Sequence, residues 1–148
     1  MRIVLHQTQI AGNFGAVLRT AACFGLDVEA VEPLGFPLDA KALRRAAMDY
    51  GAGVELTRHA SWRAYREAHP EARRVLLTTR GATPLGGFAF APGDHIVFGN
   101  EGSGAPEHVH AEADARVVIP IRGRSLNLSN AVAVTAWEAR RQLGGPPG

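Results

Sequence analysis

Six short apolar or β-branched runs recur along this chain, at Arg2–Leu5, Asp27–Glu32, Val54–Thr57, Val75–Thr79, His95–Phe98 and Arg116–Ile121. Turns rich in Gly, Pro, Asn and Asp separate them, and helical stretches fill most of the gaps. Strands of this length that alternate with helices pair side by side in parallel, with both faces of the sheet covered. The pattern predicts one α/β domain over residues 1–148, a mostly parallel sheet sandwiched by helices, with 144–148 as a frayed Pro/Gly tail.

Punctuation locates the helices. Asn13 is a good cap for a helix over Phe14–Phe24, and Gly25 suits the left-handed position that closes it. Asp39 is placed to cap Ala40–Ala47 and Ser61 to cap Trp62–Ala68. Pro84–Phe90 reads as a short helix or irregular connection, Pro106–Ala111 as a short helix, and Leu128–Leu143 as the longest one.

Composition narrows the classes of function. With 46% apolar and 20% charged residues the chain is globular in type rather than disordered. No apolar run approaches the ~18 residues of a membrane span, and Met1–His6 turns polar too soon for a signal peptide, so a cytoplasmic protein is expected. The single cysteine excludes an internal disulfide and any multi-cysteine zinc site. Cys23 sits in the apolar run Leu18–Phe24, which predicts a buried thiol. Net charge is only +2, but residues 41–80 hold nine Lys/Arg against four Asp/Glu, a local +5 that leaves −3 elsewhere. All but one of those cations are arginine, which permits a nucleic-acid partner without requiring one.

In parallel sheets ligands bind beyond the carboxyl ends of the strands, here the loops after Leu5, Thr79, Phe98 and Ile121. Gly99–Gly104 follows a strand with three glycines in six residues and one carboxylate, Glu101. It matches neither a Walker loop nor G-x-G-x-x-G, and its exposed backbone suits a small polar ligand as readily as a plain turn. Ser125–Asn130 places Ser125, Asn127, Ser129 and Asn130 around two leucines at a helix start. A cap needs only one such residue, so the surplus points to a binding site. Arg19 interrupts the apolar run Ala16–Phe24, where an unpaired guanidinium is costly to bury, and it is expected to meet a phosphate or carboxylate. The six histidines show no paired ligand spacing, no metal site is expected, and Ser103 and Ser129 lack a triad context.

Taken in order, Asn13-Phe14-Gly15-Ala16-Val17-Leu18-Arg19, Phe98-Gly99-Asn100-Glu101-Gly102-Ser103-Gly104 and Ser125-Leu126-Asn127-Leu128-Ser129-Asn130-Ala131 resemble the three motifs of the SPOUT RNA 2′-O-methyltransferases. Glu32-Pro33-Leu34-Gly35-Phe36, Leu43-Arg44-Arg45-Ala46, Met48-Asp49-Tyr50 and Trp137–Gly144 are similar to the small branch that methylates the tRNA wobble nucleotide. The resemblance covers essentially the whole chain. It implies an α/β knot, in which the C-terminal segment threads a loop as a trefoil, an exception to the usual rule against threading. It further implies S-adenosylmethionine as cofactor, held by Leu77, Gly99, Ile119, Ser125 and Leu126, and a homodimer that completes the site. By the same resemblance Arg19, Glu101, Asn127 and Ser129 are catalytic or RNA-facing, and Asn13, Arg44 and Arg45 meet the substrate, the anticodon stem-loop of tRNA. The short Ile121-Arg122-Gly123-Arg124 loop and Asn100 depart from close relatives.

Methyl transfer from a sulfonium is an in-line displacement, for which the protein supplies alignment. The family reading of Arg19 as a base conflicts with a guanidinium that stays protonated, so a phosphate clamp is the easier role, with Glu101 or a substrate phosphate taking the proton. The Arg-rich segment 41–80 is the expected tRNA footprint. Ribosomal RNA 2′-O-methylation and non-catalytic RNA binding on the same fold remain as alternatives.

Overall fold

The computed structural model describes residues 1–42, 45 and 53–145. Strands β1 (Arg2–His6), β2 (Asp27–Val31), β3 (Leu56–His59), β4 (Arg74–Leu77), β5 (Thr83–Pro84), β6 (His95–Phe98) and β7 (Ala115–Val118) form one sheet, in the order β3-β2-β1-β6-β4-β7-β5. Every strand pairing is parallel. Helices α1 (Ala11–Phe24), α2 (Trp62–Ala68), α3 (Glu107–Glu112) and α4 (Leu128–Gln142) cover it, with a 3-10 turn at Leu85–Gly87.

Strand side chains alternate between faces, and the core divides accordingly. Ile3, Leu5, Val28, Ala30, Ile96 and Phe98 form one layer with α1 and α4. Val4, Val31, Leu76 and Val97 form the other, beneath Trp62, Tyr65 and Val109 of α2 and α3. In α1 the buried positions Phe14, Val17, Leu18 and Ala21 follow helical spacing, as do Leu128, Val132, Thr135, Ala136 and Ala139 in α4. These two helices pack together, and Arg140 of α4 fastens the pair. Its guanidinium donates to the carbonyls of Phe24 (2.7 Å) and Gly25 (2.6 Å), at the C-terminus of α1 where carbonyls lack helical partners. Gly25 takes the expected left-handed conformation, φ 62°.

Several expectations change. Asn13 is not the cap of α1; the helix starts at Ala11, and its N-cap Ile10 has no side-chain cap bond. A distant carboxylate instead anchors the segment that leads into it, because Glu101 accepts the N–H groups of Gln9 and Ile10 just ahead of the helix. Cys23 is exposed, since the buried stripe of α1 passes through Ala21 and leaves it on the outer side. The third strand lies at Leu56–His59 rather than Val54–Thr57, and β7 ends at Val118, which frees Ile119 and Ile121 to line a loop. Ser61 caps α2 through the Ala64 N–H (3.0 Å), and Asp39 accepts the Ala42 N–H (2.8 Å), as expected; half of the helix foreseen over Ala40–Ala47 lies outside the described residues.

Candidate active site

The loops after β4, β6 and β7 converge on a cleft of about 550 Å3 at the carboxyl edge of the sheet. That volume lies within the usual range for small-molecule sites. Leu77, Phe98 and Leu128 supply apolar walls, and the glycine loop and residues 124–127 supply polar backbone. Leu77, Gly99, Ile119, Ser125 and Leu126 all line this one cleft. Five positions spread over fifty residues of sequence therefore meet at one cleft with both apolar and polar lining.

The glycine loop is closed by two devices. A Cβ at Gly99 would fall 2.2 Å from the Ala105 nitrogen, so only glycine lets the two ends of the loop touch. Asn100 organises the interior, its Oδ1 accepting the N–H groups of Gly102 (3.0 Å) and Ser103 (2.8 Å) and the Ser103 hydroxyl (3.1 Å). This turn-forming role of asparagine at its own loop is the part that sequence reasoning missed.

The three sequence motifs are wired together by side chains. Ser129 donates its N–H (2.9 Å) and hydroxyl (2.6 Å) to Asn127 Oδ1. Asn127 Nδ2 donates to Asn13 Oδ1 (3.1 Å), and Asn13 Nδ2 donates to Glu101 Oε2 (3.2 Å). Glu101 also accepts Gln9 N–H (3.0 Å) and Ile10 N–H (2.8 Å). Every donor in this chain is oriented toward the carboxylate, so the bonds polarise one another. Partial burial alone raises the Glu101 carboxyl. The hydrogen bonds from Gln9, its own backbone, Asn13 and Ile10 together outweigh that, and hold it below the ordinary carboxylate range. A carboxylate so held is a weak base and a good clamp.

Arg19 is not part of this network. It is exposed rather than buried, does not line the cleft, and makes no hydrogen bond or ion pair among the described residues, so no protein carboxylate answers it there. Arg45 is exposed, and Arg44 lies outside the described residues. Most of the described arginines of segment 41–80 are paired. Arg58 pairs with Glu32, Arg63 with Glu67, Arg66 with Glu112, Arg73 with Asp94 and Arg80 with Glu107, while Arg74 donates to the His69 carbonyl. Among the described residues, four of these arginines are answered by acids from other parts of the fold.

On the opposite face of the sheet, buried Glu29 receives Arg2 (2.9 Å), His59 and His69 (3.2 Å). Their ligand-capable atoms lie within 4.8 Å of one another, a cluster that spacing in sequence does not reveal. The guanidinium of Arg2 already answers the Glu29 charge there.

The family model for the SpoU rRNA methylase family matches residues 1–137. The chain belongs to that family. A tRNA (cytidine(34)-2′-O)-methyltransferase of Beijerinckia indica subsp. indica is 46% identical over 96% of this chain and 91% of that protein. The Escherichia coli K12 protein of the same name is 39% identical over 99% of this chain and 96% of its own length. A solved structure described as giving insight into the 2-OH methylation of C/U34 on tRNA superposes with TM-score 0.88 at 42% identity, covering 97% of this chain and 95% of that one. An AdoMet-bound rRNA methyltransferase from Sinorhizobium meliloti superposes with TM-score 0.83 at 26% identity, with 96% of this chain but only 56% of the other covered.

Proposed function

We propose that this chain transfers a methyl group from S-adenosylmethionine to the ribose 2′-hydroxyl of the wobble nucleotide, position 34, in the tRNA anticodon stem-loop. The observation that carries this reading is the near full-length identity of 39–46% to proteins named for that reaction. The rRNA enzyme of the same fold matches at lower identity and over about half its length, which ranks ribosomal RNA second.

The residues of the cleft fit the cofactor. When bound, S-adenosylmethionine supplies a methyl group made electrophilic by its sulfonium. Leu77, Gly99, Ile119, Ser125 and Leu126 provide apolar contact and backbone hydrogen-bonding groups and exclude water from it. Glu101 and Asn13 lock the segment after β1 against the glycine loop, and Asn127 ties both to the start of α4. Ser129 already donates its hydroxyl proton to Asn127, so its oxygen is left to accept from an incoming ribose hydroxyl. The 2′-hydroxyl proton leaves to a phosphate of the RNA or to water, not to Glu101.

The topology supports a trefoil knot. β7 sits between β4 and β5, both earlier in sequence, and the chain returns from β5 to β6 on the inner side of β4. In the proposed knot the segment from β7 to α4 threads the loop so formed, within a proposed single methyltransferase domain spanning residues 1–148. A second copy of the chain covers the outer face of α4, where Val134 is 42% and Trp137 60% exposed at helical spacing. Arg19 acts where the two copies meet, as a phosphate clamp. Among the described residues no helix is long and apolar enough to cross a membrane, and the proposed site of action is the cytoplasm.

The test is incubation of the protein with methyl-labelled cofactor and either total tRNA or ribosomal RNA. Label in tRNA alone is the expected result. Label confined to ribosomal RNA overturns the tRNA reading, and absence of cofactor binding by calorimetry overturns the enzymatic one.

A further inference from the structure

The loop joining β7 to α4 carries two cations that nothing in the fold uses. Arg122 and Arg124 are exposed and make no hydrogen bond or ion pair among the described residues. That sets them apart from the arginines of segment 41–80, whose described members, Arg45 aside, are bonded to carboxylates or carbonyls. From Ala115 through Trp137 the sequence contains no Asp or Glu, so no local acid answers their charge. The one carboxylate of the adjoining cleft, Glu101, is committed to Gln9, Ile10 and Asn13.

Position adds a second argument. Arg124 lines the cleft beside Ser125, and Ile121 and Leu126, which flank the two arginines, are 39% and 37% exposed. Gly123 between them has φ 124°, a conformation that L side chains rarely adopt, so the bend at residues 122–124 depends on glycine. Two unpaired guanidiniums framed by exposed apolar side chains match a polyanion that also presents flat apolar rings.

We propose that residues 121–124 form the RNA-docking edge of the site, with Arg122 and Arg124 taking backbone phosphates next to the methylated nucleotide and Ile121 supporting a base. The RNA footprint thereby moves from the Arg-rich segment to the mouth of the cleft. The assignment rests on the RNA-methyltransferase reading for the choice of polyanion. Two copies of this loop would repel one another across a two-fold axis, which disfavours a subunit contact here.

The experiment measures affinity for an anticodon stem-loop RNA across a salt series. It compares the intact chain with Arg122→Ala, Arg122→Ala/Arg124→Ala, Arg122→Lys and Arg63→Ala, with thermal unfolding and sedimentation of each. A phosphate contact contributes about 0.7–1 to the slope of log affinity against log salt. The expected results are a slope reduced by about that amount in Arg122→Ala and about twice that in the double variant, with recovery in Arg122→Lys and no change in Arg63→Ala. An unchanged slope in the double variant, or a reduced slope in Arg63→Ala, overturns the proposal. A slope loss accompanied by a changed oligomeric state also overturns it, by assigning the loop to a subunit contact. If the intact chain methylates tRNA while the double variant keeps its slope, only this inference fails. If RNA binding depends on both arginines but no tRNA ribose is methylated, the functional reading fails and the docking edge stands; absence of RNA binding removes both.

Discussion

Replacing Glu101 by glutamine separates a clamp from a base. The carboxylate holds three donors, Gln9 N–H at 3.0 Å, Ile10 N–H at 2.8 Å and Asn13 Nδ2 at 3.2 Å. Glutamine keeps one acceptor oxygen and turns an amide NH2 toward donors that need an acceptor, so at least one bond is lost. A hydrogen bond to a charged group contributes about 1.5–3 kcal/mol, and partial exposure of the site favours the lower end. Glu101→Gln is therefore expected to cost about 2 kcal/mol, and Glu101→Ala, which removes all three, about 4–5 kcal/mol. If the segment opens locally, the cost appears as amide exchange at Gln9 and Ile10 faster by roughly tenfold or more; if globally, as a fall in Tm of roughly 4–8 °C for the glutamine variant. Cofactor affinity falls with it, while the pH profile of methyl transfer keeps its shape, because a carboxyl held below its ordinary range contributes no limb near neutrality. Unchanged exchange at Gln9 and Ile10 would refute the clamp. A pH limb that disappears in Glu101→Gln would restore it as a proton acceptor.

Three further perturbations follow from the packing. His6 and His95 are lowered to about 4, each first by burial and then by a neighbouring histidine, His108 and His69 respectively. The unfolded chain takes up these protons near 6.5, so stability is full above that pH and declines as pH falls from 6.5 toward 4, by about 2–3 kcal/mol per residue. Urea unfolding at pH 7 and pH 4.5 should show the decline, and His6→Asn should reduce it. Arg140→Ala removes two charge-assisted bonds from the end of α1, for a loss of about 2 kcal/mol and a Tm lower by roughly 4–8 °C; an unchanged Tm would mean that the α1 terminus is satisfied without it. Gly99→Ala drives a Cβ into the Ala105 backbone, and calorimetry is expected to show cofactor binding lost or at least tenfold weaker while the far-UV circular dichroism remains that of a folded α/β protein.

Alternation of short strands with helices made the parallel sheet legible, because period and chain punctuation are local signals. The five positions proposed to hold the cofactor were legible only through motif resemblance, yet they gather at one cleft because all stand at strand or helix ends on one edge. What stayed hidden depended on contacts across long separations. Asn13 has the composition of a cap, and its actual partners, Glu101 and Asn127, lie 88 and 114 residues away. Segment 41–80 reads as a basic footprint until Glu32, Asp94, Glu107 and Glu112 arrive from other elements to pair with Arg58, Arg73, Arg80 and Arg66. Arg122 and Arg124 were visible as a departure from relatives, but only the fold shows that their charge is unspent. Cys23 illustrates the converse: an apolar run does not say which residue lies on the outer side of its helix.

The most direct test is nucleotide-resolution mapping of ribose 2′-O-methylation in tRNA from cells lacking this protein, treated in vitro with the purified chain and S-adenosylmethionine. A single new methylated ribose at position 34, absent when the cofactor is omitted, is the expected outcome. Methylation at another position only, or none despite bound cofactor, would contradict the account.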